Sequence, residues 1–301
     1  GHALTKGKYF IMNIGFIGAG KAGTALGRYL VDNNASVVGF ASKTYSSACQ
    51  AASFSRSSAF SSTLDLVRRC DFVFITTPDS VISIVWRELL DAHKQHEIDL
   101  SFKSFAHCSG CCSSELFAES HEFGVSVCSI HPLLAFGDSS LAVKQLNTAH
   151  ICVEGDDTAL NCILPFFETA GNQIHRISSA DKVRYHAAAV FASNLVLAPL
   201  DCAVQLLKDC GFDSHDATVA LAPLIKNNID NFFRFGSVGA LTGPVERADK
   251  TIVSQHLSAL SEKDAELYCA LSQKLIDIAK RKHPDRDYEG WDAILLQANN
   301  Y

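Results

Sequence analysis

The chain has 301 residues, 48% hydrophobic and 19% charged, which is enough apolar material for a full core and more length than one ordinary domain needs. A formal net charge of -6 supplies no basic field to hold the chain on nucleic acid or anionic lipid, so neither is expected as a partner. No stretch reaches the roughly 18 uninterrupted apolar residues of a membrane span and no apolar leader is evident, so the sequence reads as soluble and cytoplasmic.

From Ile11 to about Ile177, short apolar runs alternate with helical stretches, the pattern of repeated βα units and a mostly parallel sheet. The expected strands are Asn13–Ile17, Val37–Phe40, Phe72–Thr76, Ser104–Cys108, Val125–Ser129, Ala149–Val153 and Gln173–Ile177. They are apolar throughout rather than alternating, as strands covered on both faces should be. The serine-rich run Ser53–Ser62 reads as a loop. After Ser178 the pattern turns helical, with long helices expected over Ser179–Cys210, Ser214–Phe235, Ala248–Leu260 and Glu262–Lys282. Gly211, Gly236 and Thr242-Gly243-Pro244 separate them. The fold class is therefore an α/β Rossmann domain over 11–178, with a doubly wound sheet, followed by an all-α domain over 179–301.

The first strand runs into Gly18-Ala19-Gly20-Lys21-Ala22-Gly23, a GxGxxG turn in its strand, turn, helix context. Gly18 permits the tight turn, Gly20 lets the backbone approach a pyrophosphate, and Gly23 allows helix to pack on strand; the helix start offers free N–H groups. An NAD site normally places a carboxylate at the end of the second strand to hold the ribose hydroxyls. Here that place reads Ala41-Ser42-Lys43-Thr44, which favours the 2'-phosphate of NADP. The alternative is that Lys43 is a solvated loop residue.

Ligands of open parallel sheets lie outside the strand carboxyl ends. Those ends here are Thr76-Thr77-Pro78-Asp79, His107-Cys108-Ser109-Gly110 and His131-Pro132, so Thr76, Thr77, Pro78, Ser109 and His131 join the glycine turn as candidate cofactor contacts. Cys108, Cys111 and Cys112 beside His107 lack a second ligand pair at metal spacing, so no metal is expected. A redox role is an alternative for Cys111 and Cys112, which fall near an expected helix start that would stabilise a thiolate. All 11 cysteines at irregular spacing suit a reducing compartment.

On the helix from Ser179, Lys182, His186, Ala189 and Ser193 share one stripe with Asn194 on its shoulder, opposite the apolar Val183, Ala187, Val190, Phe191 and Leu195. Reduction of C=O or C=N needs a donor to polarise the acceptor and an acid to supply a proton. His186 as acid or base, Asn194 as orienting donor and Lys182 as electrostatic partner form such a set; the alternative is a satisfied core histidine and an asparagine paired to backbone. A second polar segment, Thr242 to Thr251, is explained equally by a turn and an N-cap at Asp249 or Thr251.

These motifs, together with Tyr185-His186-Ala187-Ala188, Ser193-Asn194 and Leu241-Thr242-Gly243-Pro244 with Arg247 and Asp249, resemble a family of bacterial Rossmann-like oxidoreductases. That family is related to 6-phosphogluconate dehydrogenases, 3-hydroxyacid dehydrogenases and pyrroline-5-carboxylate reductases, and its C-terminal domain was long labelled of unknown function. The resemblance implies a homodimer in which helical domains pack together, with Ser193, Gly243, Pro244 and Arg247 near the substrate. The sequence thus reads as an NADP-dependent oxidoreductase passing hydride to or from a small polar keto acid, hydroxy acid or imine at the seam of its domains. The alternative is a non-catalytic NADP(H) sensor whose helical domain binds a partner.

Overall fold

A computed structural model describes residues 11–295. The chain divides into two compact units, the first running to Ala192 and the second from Ser193.

In the first unit, β1 (Asn13–Ile17), α1 (Lys21–Asp32), β2 (Ser36–Ala41), α2 (Tyr45–Ser55), β3 (Ser58–Phe60), α3 (Thr63–Arg68), β4 (Phe72–Ile75) and α4 (Asp79–Lys94) alternate. They are followed by β5 (Ser104–His107), β6 (Ser126–Pro132), α5 (Ser139–Leu146), β7 (Ile151–Gly155), α6 (Asp157–Thr169), β8 (Ile174–Arg176) and α7 (Lys182–Ala192). One sheet takes the order β3-β2-β1-β4-β5-β6-β7-β8, in which only β6 and β7 run antiparallel. This is the Rossmann-like, mostly parallel sheet that the apolar runs imply, with its switch point between β1 and β4.

Both sheet faces are covered. Phe16 stacks between Phe40 and Phe74 at 4.9 and 5.0 Å on the face packed by α1, α5 and α6. Val73, Ile75 and Phe105 pack on the other face against Trp86 of α4 and Phe117. Alternate residues of each strand thus enter opposite cores, which is why the strands read as continuous apolar runs. Helix α4 follows the same logic: Ile82, Trp86, Leu89 and Leu90 are buried at helical spacing, with Asp79 in its first turn and His93 and Lys94 in its last.

Each expected strand is present, β1 with its expected ends and the others with shifted ends. The departure is β3, which lies inside the serine-rich run expected as a loop. Its partner strand explains it: a Cβ at Gly39 would stand 1.9 Å from the Ser58 carbonyl oxygen, so the bare backbone of β2 admits an edge strand with little β character of its own.

The expected single helix over Ser179–Cys210 is broken. Ser193 leaves the helical region at φ -126°, ψ -84°, a 3-10 turn covers Asn194–Val196, and α8 runs over Leu197–Asp209. Ser193 donates its hydroxyl to Asn194 Oδ1 at 2.9 Å, a local bond of the kind that competes with helix. Asn194 therefore does not extend the stripe of α7.

The second unit continues with α9 (Ser214–Ala240), α10 (Lys250–Ala259), α11 (Glu262–Lys282) and α12 (Trp291–Leu295), with Gly236 breaking α9 at φ 68°. Val245, Val253, Cys269, Ile276, Ala279, Tyr288 and Trp291 form its core. Helix α8 buries no residue and α9 only Ala217, while Leu224, Phe232, Phe233 and Phe235 are exposed. The helical stretch Ser179–Asp209 contains an 18-residue window of mean hydropathy 1.7, long and apolar enough to cross a membrane by length and composition, and that window is unburied.

Substituting Gly39→Ala should displace β3 and lower stability by about 1–3 kcal/mol, the usual cost of overpacking a tight contact. The urea midpoint measures it, and a midpoint equal to that of the wild type would show that β3 does not depend on Gly39.

Candidate functional site

The glycine turn builds one wall of a cleft of about 870 Å³ lined by Gly18–Gly20, Ser42, Lys43 and Thr76–Pro78. Gly18 sits at φ +110°, where a Cβ would lie 2.7 Å from the Thr76 carbonyl carbon. A Cβ on Gly23 would meet Thr76 Oγ1 at 2.2 Å, and that hydroxyl donates to Gly18 O at 2.9 Å, so the loop after β4 is seated on the turn. Gly20, the N-cap of α1, faces open space. Intrahelical bonding starts at Thr24 N to Gly20 O, and no acid occupies the first turn, which leaves the Lys21, Ala22 and Gly23 end of the helix suited to an anion.

Two observations fit a dinucleotide here. Gly20 leaves open the approach that a side chain would fill, and Thr77 Oγ1 is a buried oxygen with no hydrogen-bond partner among the described residues. Ser42 and Lys43 follow β2 and line the cleft, with no carboxylate at the strand end. Thr44 instead caps α2, accepting from Ser47 N at 3.3 Å. Ser109 and His131 are not among the residues lining this cleft and belong to a second group of polar side chains.

That group lies at the carboxyl ends of β5 and β6. Buried His107 accepts from Ser109 N at Nδ1, 3.1 Å, and donates from Nε2 to Ser113 O, 2.9 Å, which fixes a neutral tautomer; burial also lowers its pKa. Ser109 Oγ donates to Asp79 Oδ2 at 2.7 Å and accepts from the Cys111 and Cys112 amides at 3.2 and 2.9 Å. The turns after β4 and β5 are thereby tied together. The helix start expected near Cys111 is a 3-10 turn, Ser114–Leu116, and Glu154 accepts its Ser114 amide. Burial pushes the Cys108 thiol up to about 12. Neither feature favours a thiolate.

Lys182 opens α7 and is 1% exposed. Its Nζ donates to Ser109 O at 2.7 Å and Ser129 Oγ at 3.1 Å, and Ser129 donates on to Glu154 Oε2 at 3.1 Å. Burial lowers its pKa, with Glu154 opposing. One turn on, Tyr185 and His186 meet β6: the Tyr185 hydroxyl and His131 Nδ1 share a hydrogen bond of 2.7 Å, and the His131 and His186 rings are perpendicular at 6.4 Å. A Cβ on Gly110 would stand 2.7 Å from His186 Cδ2 and 2.9 Å from His131 Nε2, so both rings require glycine there. Burial, then the fields of Lys182 and His186, lower His131 to about 4. Burial raises Tyr185.

The structure thus brings Lys182 and His186 together with Ser109 and His131. Asp79 and Tyr185 stood in the quoted motifs without a role assigned to them, and Ser129 and Glu154 were not singled out. Glu154 left a signal as an acid in the apolar run Ile151-Cys152-Val153.

In the second unit, Asn194 opens the chain after Ser193, and Gly243, Pro244 and Arg247 lie between α9 and α10. Gly243 has φ +100°, Asp249 caps α10 by accepting from Ile252 N at 3.1 Å, and Arg247 is exposed. Glu246 anchors the segment. Its carboxylate pairs with His283 Nε2 and lies 3.5 Å from Arg286 Nη1, and its carbonyl accepts from the Tyr288 hydroxyl at 2.6 Å. The His283 hydrogen bond holds the Glu246 carboxyl below its usual range.

Residues 13–102 match the family described as NADP oxidoreductase, coenzyme F420-dependent, and residues 149–275 match a domain of unknown function, DUF2520. No curated protein matches the chain. Among solved structures, BF3122 of Bacteroides fragilis superposes with TM-score 0.70 at 21% identity, covering 88% of this chain and 98% of that one. An imine reductase of Myxococcus stipitatus, bound to NAD+, gives TM-score 0.61 at 16% identity over 96% and 100% of the two chains. A pyrroline-5-carboxylate reductase of Coxiella burnetii gives 0.55 at 12% over 96% and 98%. At these identities the likeness is one of fold.

Because a Cβ at Gly20 meets nothing, Gly20→Ala should leave the melting temperature of the free protein unchanged while weakening NADPH binding about tenfold or more, roughly 1.4 kcal/mol. Titration calorimetry reads the affinity, and undiminished binding would remove the turn from the cofactor site. His131 binds its proton less readily in the fold than its ordinary 6.5, so the unfolded chain holds more protons between about 4 and 6.5. Stability should therefore be full above pH 6.5 and fall as pH drops towards 4, less steeply in His131→Asn; denaturant midpoints across that range check this, and parallel curves for the two proteins would refute it.

Proposed function

From a chain that joins an NADP oxidoreductase segment to a DUF2520 domain, we propose an NADP-dependent oxidoreductase acting on a small polar keto acid, hydroxy acid or imine. The observation that carries this reading is the cleft beside Gly18–Gly20, with its orphaned Thr77 hydroxyl and its Ser42-Lys43 edge free of carboxylate. The open face of Gly20 and the start of α1 hold the pyrophosphate, while Ser42 and Lys43 donate to a 2'-phosphate. A bound nicotinamide supplies or takes the hydride. His186, at the rim of Gly110, exchanges the proton. Lys182, enclosed by Ser109 and Ser129, positions α7 and contributes its field.

The apolar side chains of α8 and α9 support a homodimer as the working form. Soluble monomers seldom leave so many large apolar side chains uncovered on neighbouring helices, and a second copy presents the same side chains about a twofold axis.

Thermal shift with matched NADPH and NADH tests the cofactor assignment: NADPH should raise the midpoint more, and Lys43→Ala should narrow the gap. Equal or larger shifts with NADH would overturn the 2'-phosphate assignment. With a substrate in hand, His186→Ala should lower kcat/KM by about 10²–10⁴ with NADPH affinity retained; a full rate would return the histidine to a packing role. Sedimentation should give a dimer at micromolar concentration, and a detergent-free monomer would overturn the homodimer.

A further inference from the structure

The polar groups around Gly110 discriminate between the two acceptors left open above. We propose that the acceptor is a neutral carbonyl rather than a protonated imine, and that His131 polarises its oxygen through Nε2 while Tyr185 holds the ring at Nδ1. This rests on the hydride-transfer reading.

A protonated imine brings a cation and needs a free acceptor. A carbonyl gains negative charge as hydride arrives and needs donors. His131, Lys182 and His186 carry N–H groups while Tyr185 shares its hydroxyl with His131, and the two nearby carboxylates already accept hydrogen bonds, Glu154 through both oxygens and Asp79 through Oδ2. Asp79 Oδ2 accepts from Ser109 Oγ at 2.7 Å. Glu154 Oε1 accepts from Ser114 Oγ at 2.6 Å, and its Oε2 from Ser114 N and Ser129 Oγ at 2.8 and 3.1 Å. Lys182 Nζ donates to a carbonyl and a hydroxyl rather than to a carboxylate, and the Glu154 charge offsets its field from beyond Ser129. The fields of Lys182 and His186 that disfavour a proton on His131 would equally disfavour an iminium beside it, against the opposing field of Asp79.

A phenol is a stronger acid than a neutral imidazole N–H, and an imidazole nitrogen a stronger base than a phenol oxygen. The 2.7 Å bond therefore runs from the Tyr185 O–H to Nδ1 and leaves the proton of His131 on Nε2. The absence of a side chain on Gly110 spares Nε2 a Cβ that would lie 2.9 Å away. Such a neutral imidazole donates a hydrogen bond without giving up its proton, as the neutral electrophile of triosephosphate isomerase does. In the reaction, a nicotinamide bound in the cleft would supply hydride to the carbonyl carbon, and the π pair would become a lone pair on oxygen. That oxygen would take a proton delivered by His186 and replaced from water, while His131 keeps its own.

The test has two arms. In 15N-labelled protein saturated with NADP+, with His131 assigned through His131→Gln, long-range proton–nitrogen spectra from pH 5 to 8 should show the Nε2–H tautomer with no titration; Tyr185→Phe should lose that fixed tautomer. An Nδ1–H tautomer, or titration near pH 6.5, would overturn the role of His131 whatever the enzyme turns over. In the second arm, α-keto acids and cyclic imines of matching carbon count are offered with NADPH. Keto acids should turn over faster by about tenfold or more; His131→Ala and Tyr185→Phe should each lower kcat by a similar factor with KM little changed, and His131→Gln, whose amide N–H replaces Nε2–H, should recover part. Faster turnover of imines would overturn the carbonyl assignment and leave hydride transfer standing. NADPH binding with turnover of neither class would overturn the oxidoreductase reading itself.

Discussion

An ammonium group enclosed by protein must find oxygen atoms, and Lys182 finds two: the carbonyl at the end of β5 and a serine hydroxyl on β6. Lys182 is the single buried residue recorded for α7, whose other side chains are half-buried or exposed. The helix is therefore held less by an apolar face than by one cation, and the position of Tyr185 and His186 beside His131 follows from it, because residues three and four places on share its side of the helix.

The network around that cation shows why the strand carboxyl ends are rigid enough to present chemistry. Ser109 ties the turns after β4 and β5 through Asp79, His107 braces the loop to Ser113, and Glu154 receives three donors from two segments. The buried side chains of Ser109, His107, Lys182, Ser129 and Glu154 satisfy one another or the backbone, as buried polar groups must. Thr77 Oγ1, which has no partner among the described residues, lies in the cleft where a ligand atom would meet it.

The second unit divides its labour differently. Helices α10, α11 and α12 supply an apolar core, and Glu246 with His283, Arg286 and Tyr288 fastens the Gly243–Pro244 segment to the end of α11. Helices α8 and α9 carry large apolar residues outward. Exposed phenylalanines at this density are the observation on which the proposed homodimer rests.

The sequence by itself determined the doubly wound sheet, its glycine turn and the helical second half, because period, apolar runs and turn residues are local and each strand is covered on both faces. It also placed Lys182 and His186 on one stripe, since helical spacing fixes which residues share a side. Only the tertiary structure decided that Lys182 is buried against Ser109 and Ser129, that His131 faces Tyr185, and that Gly110 is bare because two imidazoles approach it. These are contacts between segments far apart in the chain, where no local pattern carries information. The break at Ser193 and the edge strand at Ser58–Phe60 escaped for the same reason: one rests on a side chain bonding its neighbour in place of the helix, the other on a glycine in the partner strand.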